Sequence, residues 1–571
     1  MPGALLHHPR WIRHSTLNSP NPALVTHRAA QRLPRLALFL FCAAYVIPGL
    51  FGRDPWKNAD ITAFGYMVNM AEGRSSWFAP TVGGLSSDPA LLPYWLGAAF
   101  VKLLGPLLGA PLAARLPFAL LLVLVLLLTW YSTYYLARTE AAQPLPFAFG
   151  GEASPTDYAR AIADGALLAL IATLGLLQLG HETTPELAQL ASVSLYLYAL
   201  SASPFRGALP RIAVLIALPS LAASGAPTIA VALGLVGTVV CHYSEYAPAR
   251  HFAKWVGAGT LLAAAAAWML GAWGWRLSPH NSPAQIIATL KLLAWFLWPA
   301  WPLACWTLWR WRHHLLHRHI SVPLSCAIVS VVSCIAMGGW DRALMLALPP
   351  LAVLASFALP TLQRSTAAAI DWFSVFFFSA WAIAFWVIYL SLQTGIPAQP
   401  AANVARRVAG YTSSFSLLAL VLAVLATLAW LWLVKWRTGR HRHPLWKSLV
   451  LPASGVALCW LLLMTLMLPV LDYARSYRPL IERIARHVPR DACVSAQELS
   501  RGQIVALETM GGYRVDAVEP SARTSCVFLL RLESSSKPKP PPPAGWSLVA
   551  RERRPSDNEE LTAIYQRQAA R

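Results

Sequence analysis

Acidic side chains cluster between the first two long apolar stretches of the chain. Asp54, Asp60, Glu72 and Asp88 all lie in residues 52–95. Carboxylates are costly close to a bilayer, so acids beside membrane helices are functional candidates. Apolar residues after Asp60 recur largely on one side of a helix, which predicts a helix lying flat at the membrane surface. A purely structural role is the alternative for Asp60, because an acid in the first helical turn complements the helix dipole.

Two further polar segments interrupt the apolar sequence. Residues 180–187 read GHETTPEL, and their His181 and Glu186 either face a cavity or belong to an ordinary polar turn. Residues 338–342 read GGWDR, and a guanidinium such as that of Arg342 suits phosphate oxygens. The alternative here is a surface pair of Asp341 and Arg342 at the start of a helix.

The elements that must position these groups are membrane helices. Of the 571 residues, 56% are hydrophobic and only 12% are charged, whereas a soluble protein carries about 25% charged residues. Fourteen apolar segments lie between residues 36 and 471, many of them close to the length that a bilayer-spanning helix requires. We predict an all-α polytopic bundle of about thirteen transmembrane helices, with one segment in 90–136 forming a shallow or broken element.

Basic loops predict the orientation of this bundle. Residues 310–319 and 435–447 are rich in Arg and His, and four apolar segments separate them, so both face one compartment. Loops dense in Lys and Arg stay in the cytoplasm, which also holds the basic arm 1–35. We therefore expect a multi-pass protein of the bacterial inner membrane, with residues 52–89 and the C-terminal tail in the periplasm. The net charge of +21 suits anionic lipid headgroups, and no nucleic-acid partner is expected.

The chain changes character after residue 471. Residues 472–488 predict an amphipathic helix, and five short β-like runs follow it. We expect three parts: the arm 1–35, a transmembrane domain 36–471 with the external loop 52–89, and a small α/β domain 472–571 with no catalytic motif. Cys493 and Cys526 lie in this last domain, where an oxidising compartment permits a disulfide, and two free thiols are the alternative.

Several motifs resemble those of a known enzyme family. Arg53-Asp54-Pro55-Trp56 leads into Asn58-Ala59-Asp60-Ile61; the turn 72–77 and Ser87-Asp88-Pro89 follow, and then Tyr94-Trp95-Leu96 opens a helix. Farther along, 338–342 precedes Ala347-Leu348-Pro349-Pro350-Leu351. These segments resemble polyprenyl-phosphate-sugar-dependent glycosyltransferases with the GT-C fold, in particular the lipid A aminoarabinose transferase and protein O-mannosyltransferase group.

The resemblance implies roles for individual residues. Asp60, and second Asp88, would be catalytic and accept the proton of an acceptor hydroxyl, while Arg342 would meet the lipid phosphate. The remaining candidates for substrate contact are Asp54, Lys57, His181, Glu186, Trp340 and Asp341. The donor would be a polyprenyl-phosphate-linked sugar, the acceptor a lipid A-type molecule, another glycan or a protein, and transfer would invert the anomeric centre. No cofactor is certain, and a divalent cation is possible.

Two departures from the family pattern keep other functions open. Ile61 replaces the acid expected next to Asp60, and Pro89 stands near the place of a lysine. A catalytically inactive relative whose external domain serves as a binding module is therefore one alternative. A lipid or glycolipid transporter is another, although such proteins place charges and broken helices near the membrane midplane, and the acids here cluster at one surface.

Overall fold

The architecture comes from a computed structural model of the chain. It describes residues 23, 25–146, 150–274, 277–278, 282–438, 444–535 and 541–568. Most of the basic arm, the middle of the second basic loop and residues 537–540 of the proline-rich tract lie outside this part of the chain.

Helices make up the chain as far as residue 475. In order they are α1 (Arg35–Val46), α2 (Ala59–Ala71), α3 (Leu91–Leu108), α4 (Ala110–Ala137), α5 (Pro155–Ile171), α6 (Leu174–Leu179), α7 (Pro185–Ala202), α8 (Ala208–Ala223), α9 (Pro227–His242), α10 (Ala247–Met269), α11 (Pro283–Phe296), α12 (Ala300–Arg310), α13 (Arg318–Ala336), α14 (Asp341–Leu344), α15 (Leu348–Ser356), α16 (Arg364–Thr394), α17 (Ala398–Arg407), α18 (Leu417–Thr438), α19 (Lys447–Thr465) and α20 (Leu468–Arg475). Three short 3-10 turns and a small hairpin, β1 (Thr81–Val82) and β2 (Leu85–Ser86), complete this part.

The membrane character of the bundle is confirmed by its helices. Among the described residues, eight helical segments are long and apolar enough to cross a bilayer, and α1, α8 and α9 are shorter apolar helices. The sequence predicts one span over 286–309, and this is wrong in detail. The structure has α11 and α12, bent by 88°, at a break containing Pro299, which lacks the N–H that a continuous helix would use. The count of thirteen crossings stays a prediction.

One apolar helix, α3, begins and ends at the same end of the bundle. Tyr94 near its start contacts Tyr66 of α2, with ring centroids 5.3 Å apart. Only Gly109 separates α3 from α4. Arg115 in the second turn of α4 then donates to the carbonyl of Leu50, in the loop that precedes α2, at 3.4 Å. This placement agrees with the shallow element expected in 90–136.

The basic segments gather at the opposite end of the bundle. Arg318, from the first basic loop, donates to the hydroxyl of Ser203 at the end of α7, at 2.8 Å. Near the end of the second basic loop, Trp446 donates to the carbonyl of Gln31 in the N-terminal arm at 2.7 Å. We call this the basic end, and the end that carries residues 49–60 the loop end. These contacts agree with the expectation that both basic loops lie on one side of the membrane, which stays a prediction.

A small α/β domain follows the last membrane helix. It contains α21 (Arg478–Ile484), α22 (Arg501–Thr509) and the strands β3 (Cys493–Ser495), β4 (Arg514–Asp516), β5 (Phe528–Ser534), β6 (Trp546–Glu552) and β7 (Glu560–Arg567). The sheet order is β4-β3-β5-β7-β6; β3 runs parallel to β4 and β5, and β7 is antiparallel to β5 and β6. A disulfide joins Cys493 to Cys526.

The five predicted β runs all coincide with strands, but the single helix expected over 472–488 is wrong. Two helices, α20 and α21, occupy the region, and Ser476 between them is extended. The Ser476 hydroxyl donates to Asp54 of the first loop at 2.8 Å. Pro479 near the start of α21 also prevents a continuous helix, because it lacks the N–H that would bond to the carbonyl of Arg475, the last residue of α20.

Candidate active site

Asp60 lies in the first turn of α2 and is completely enclosed. Its Oδ2 accepts from Arg53 Nη1 and from the backbone N–H of Trp56, each at 3.0 Å. Its Oδ1 accepts from the backbone N–H and the hydroxyl of Thr183, each at 2.8 Å. The residue is 1% exposed. In this structure both carboxylate oxygens are occupied by the protein itself.

The charge of Asp60 is stabilised despite this burial. Burial by itself raises the pKa of the carboxyl group, but the charge of Arg53, that of Arg115 and the backbone N–H groups outweigh it, and the pKa is lowered. Charge-assisted hydrogen bonds favour the ionised form of a buried acid. Asp60 is therefore an anion paired with a cation, and it has no lone pair directed at an open space.

The partner Arg53 is held as firmly as Asp60. Its Nε donates to the carbonyl of Gly49 at 2.8 Å and its Nη2 to the carbonyl of His181 at 2.6 Å. The guanidinium lies over the ring of Trp56 at 4.7 Å, and Arg475 lies over the same ring at 5.0 Å. This stack of cation, indole and cation ties the first loop to the helix that leads into the C-terminal domain.

The segment between α6 and α7 joins Asp60 to Arg342. Thr183 binds Asp60, whereas the residues on either side of it bind Arg342. Glu182 Oε2 lies 2.6 Å from Arg342 Nη2, and the Thr184 hydroxyl accepts from Nη1 at 3.1 Å. Glu186 Oε2 lies 3.7 Å from Nη1. Three consecutive residues thus couple the acid of the first loop to the arginine before α15.

A cavity of about 340 Å³ opens beside this cluster. Its walls come from the start of α2, the segment that leads into α3, the start of α7, the turn between α8 and α9, the turn before α14, and the start of α22. Its polar lining residues are Asn58, Thr62, Asp88, Tyr94, Glu186, Gln189, Ser224, Trp340, Ser500 and Arg501. A site with several walls and converging polar groups is a typical ligand pocket.

The cavity brings together two of the predicted acids. Glu186 is 7% exposed, and its Oε2 has no hydrogen-bond partner. Asp88 lies at the rim, its side chain 53% exposed, with Arg501 Nη1 3.4 Å from its Oδ1. Both carboxylates line the cavity, and a carboxylate there is able to accept a proton from a bound hydroxyl that comes within hydrogen-bond reach.

Other predicted residues are placed as follows. Trp340 lines the cavity, and Asp341 accepts from the backbone N–H of Arg342 at 2.8 Å, which fixes the turn. His181 packs against the rings of Tyr45 and Trp460, and desolvation of its ring lowers its pKa to about 4. It is therefore neutral and donates one hydrogen bond, to the carbonyl of Leu177 or that of Tyr45, both within 2.9 Å of a ring nitrogen.

The remaining loop residues lie away from the cavity. Asp54 accepts from Arg478 through both of its oxygens, at 2.6 and 2.8 Å. Lys57 is exposed, and its nearest charges belong to the C-terminal domain. Glu72 forms an exposed pair with Arg74 at 2.6 Å. In the described part of the chain, no three His, Cys, Asp or Glu residues are grouped so that they could hold a metal ion.

The sequence did not single out Glu182, Thr183, Gln189 or Arg501. Glu182 and Thr183 belong to the segment 180–187, in which only His181 and Glu186 were candidates. Arg501 carries no signal in the sequence at all, because its approach to Asp88 spans more than 400 residues and depends on how the C-terminal domain docks.

Comparisons with known proteins support the fold. No protein-family model matches the chain, and no curated protein matches its sequence. The solved structure of ArnT from Cupriavidus metallidurans bound to undecaprenyl phosphate is similar over 93% of this chain and 96% of that one, with a TM-score of 0.59 and 14% identity. The structure of ArnT from the same organism in the apo state is similar over 93% of this chain and 98% of that one, with a TM-score of 0.60 and 15% identity. The chain thus has the GT-C fold of ArnT, as its loop motifs predict.

Proposed function

We propose that this protein is a membrane glycosyltransferase that moves a sugar from a polyprenyl-phosphate donor to an acceptor hydroxyl. The observation that supports this most is the position of Arg342, which pairs with Glu182, Thr184 and Glu186. Its partner Glu186 and its neighbour Trp340 line a cavity that also contains Asp88. A guanidinium held in this way presents donors that suit phosphate oxygens. The shared fold adds support, since one of the ArnT structures is described as bound to undecaprenyl phosphate.

The reaction requires an acceptor oxygen to replace the phosphate oxygen at the anomeric carbon. A carboxylate takes the proton of the acceptor hydroxyl as the new carbon–oxygen bond forms and the bond to phosphate breaks. The leaving polyprenyl phosphate carries the negative charge, which Arg342 stabilises. Attack on the face opposite the leaving group inverts the anomeric centre. General-base assistance contributes about 10²–10⁴-fold to such a step.

The geometry changes which acid we assign as the base. The loop motif favours Asp60, but both of its oxygens are bonded, and its release would leave Arg53 buried without a counter-charge. Glu186 lines the cavity and accepts no hydrogen bond at Oε2, so we assign it as the base, and Asp88 at the rim is the second candidate. We propose that Asp60 acts as a positioning residue, which holds Thr183 and thereby the two neighbours that bind Arg342.

The location of the reaction follows from the two ends of the bundle. Because the basic segments gather at one end, that end belongs in the cytoplasm under the positive-inside rule. The cavity and the C-terminal domain then lie on the periplasmic face of the bacterial inner membrane. The acceptor there is a lipid A-type molecule, another glycan or a protein.

Mass spectrometry of envelope glycolipids and glycoproteins from a deletion strain tests the proposal. We expect the deletion strain to lack one sugar. The wild-type protein should restore that sugar, and the Arg342→Gln variant should not. Arg437→Gln is the matched control, because Arg437 forms a similarly buried pair with Asp371, at 2.6 Å and far from the cavity. An unchanged envelope in the deletion strain contradicts the proposal and favours a transporter or an inactive relative.

A further inference from the structure

A second large cavity lies at the basic end, far from the one that contains Glu186. It has a volume of about 640 Å³ and lies between the loop that connects α7 to α8 and the start of α10. Arg206, Arg211 and His251 line it, and no Asp or Glu is among its lining residues. The cavity is therefore suited to an anion, and the proposed transfer reaction makes no use of it.

Apolar rings form the rest of the wall. Phe205, Phe252 and Trp255 line the cavity, and the guanidinium of Arg211 lies 5.5 Å from the centre of the Trp255 ring. Arg206 Nε donates to the hydroxyl of Tyr135 at 3.0 Å. Both arginines are thus positioned by aromatic neighbours, while their remaining N–H groups are able to bind a ligand. This combination of apolar wall and cationic edge suits an amphipathic anion.

Helix polarity adds to the positive potential. Both α8 and α10 begin beside the cavity, and neither N-terminus is capped by a side-chain hydrogen bond. Free N–H groups at a helix start attract negative charge. Arg318 of the first basic loop donates to Ser203, which lines the cavity, so that loop lies next to it.

Exposed apolar faces continue from the cavity toward the middle of the bundle. On α8, Leu209, Ile212 and Ile216 are each more than half exposed, at a spacing that places them on one helical face. On α10, Leu261 is 74% exposed. In a membrane protein these faces contact lipid chains, so a molecule whose anionic head occupies the cavity has a path for its acyl tails.

We propose that this cavity binds the phosphate headgroup of an anionic phospholipid, with the acyl chains lying along α8 and α10. The position at the basic end agrees with this ligand, because basic pockets between membrane helices bind anionic headgroups on the cytoplasmic side. The proposal is independent of the transfer reaction, since every group that it uses lies at the other end of the bundle.

Native mass spectrometry of the purified full-length protein tests the proposal. Phosphatidylglycerol should remain bound where phosphatidylcholine does not. Replacing Arg206 and Arg211 together by Gln should weaken phosphatidylglycerol binding about 25-fold, or about fivefold for each arginine. The matched control is the double variant Arg310→Gln with Arg364→Gln, which removes two exposed cations at the same end outside the cavity and should change binding less than twofold.

A photoactivatable phosphatidylglycerol provides a readout that does not depend on variants. Crosslinks should map to residues 203–211 and 247–255. The proposal is overturned if both double variants lose binding equally or if the protein retains the two lipids equally. It is also overturned if the crosslinks are spread around the bundle. Displacement of the lipid by millimolar inorganic phosphate would assign the site to a soluble phosphate compound and would also overturn it.

Discussion

Thr183 binds Asp60 through two donors, its backbone N–H and its hydroxyl, both 2.8 Å from the same carboxylate oxygen. Because Glu182 and Thr184 bind Arg342, any movement of Asp60 is transmitted to the arginine through adjacent peptide units. Asp60 and Arg342 are therefore parts of one arrangement, although they lie 282 positions apart in the sequence.

Asp60→Asn should both destabilise the protein and abolish transfer. The amide carries no charge, so Arg53 is left buried without its partner, and breaking a buried ion pair in this way costs about 3–5 kcal/mol. Thermal unfolding of the purified protein and a transfer assay measure the two effects. Asp88→Asn is the control for stability, because Asp88 is exposed and its change should stay within about 0.5 kcal/mol.

Glu186→Gln should reduce kcat by about 10²–10⁴-fold, which is the contribution of general-base assistance. Stability should fall as well, because Gln cannot pair with the charge of Arg342, which lies 3.7 Å from Glu186 Oε2. The loss should be smaller than for Asp60→Asn, since Arg342 keeps its shorter pair with Glu182. Steady-state kinetics with a defined donor and acceptor measure the loss. Turnover within twofold of wild type would remove Glu186 from the chemistry and return Asp88 to first place.

Arg342→Lys should raise the KM for the donor about tenfold while changing kcat less. Lysine keeps the positive charge but lacks the planar fork that reaches Glu182 and Thr184 at once and that suits phosphate oxygens. The KM for the acceptor should not change. Arg437→Lys alters an arginine of equal exposure, 14%, in a comparable ion pair, so an equal rise in KM there would indicate a general packing defect.

The contact between Asp54 and Arg478 should be lost in acid. Burial raises the pKa of Asp54, but hydrogen bonds from Arg478 and Ser476 and the charge of Arg478 outweigh it, so the pKa is lowered. Since the folded pKa lies below the unfolded value of about 3.9, the stabilisation is complete well above pH 4 and disappears as the pH falls through the folded pKa.

The difference in stability between wild type and Asp54→Asn measures this contact. It should be about 1 kcal/mol or less at pH 7, because Arg478 is 54% exposed and solvent screens the pair. The difference should shrink as the pH falls below 4. A difference that grows in acid would show that the ionised form of Asp54 does not stabilise the junction.

Replacing Cys493 and Cys526 together by Ser should destabilise the C-terminal domain by about 2–4 kcal/mol, since the disulfide closes a loop between residues 33 positions apart. Proteolysis of the domain with and without reductant measures the effect. Transfer should fall as well, because Ser500 and Arg501 form part of the cavity wall. Ser replacements at Cys42 and Cys459, which are free in the bundle, are the control.

The sequence alone determined that the protein is a helical membrane bundle and which loops carry the candidate site residues. The features that show this are local properties of the sequence. They are apolar segments of bilayer length, two basic loops with four apolar segments between them, and acids grouped in the first loop. Each reflects the free energy of placing a side chain in lipid or at its surface, and such properties can be read without knowing any long-range contact. The five short strands of the C-terminal domain were predictable as well, since short β-like runs are a local property of the sequence.

Only the tertiary structure decided which acid faces the cavity. Asp60 has the right position in the motif, but Thr183 and Arg53 occupy its oxygens and it does not line the cavity, whereas Glu186 does. Arg501 approaches Asp88 because the C-terminal domain packs against α2, where Val505 leaves room only for Gly65. Pairings of this kind depend on how distant helices pack, and one local stretch of sequence does not contain that information.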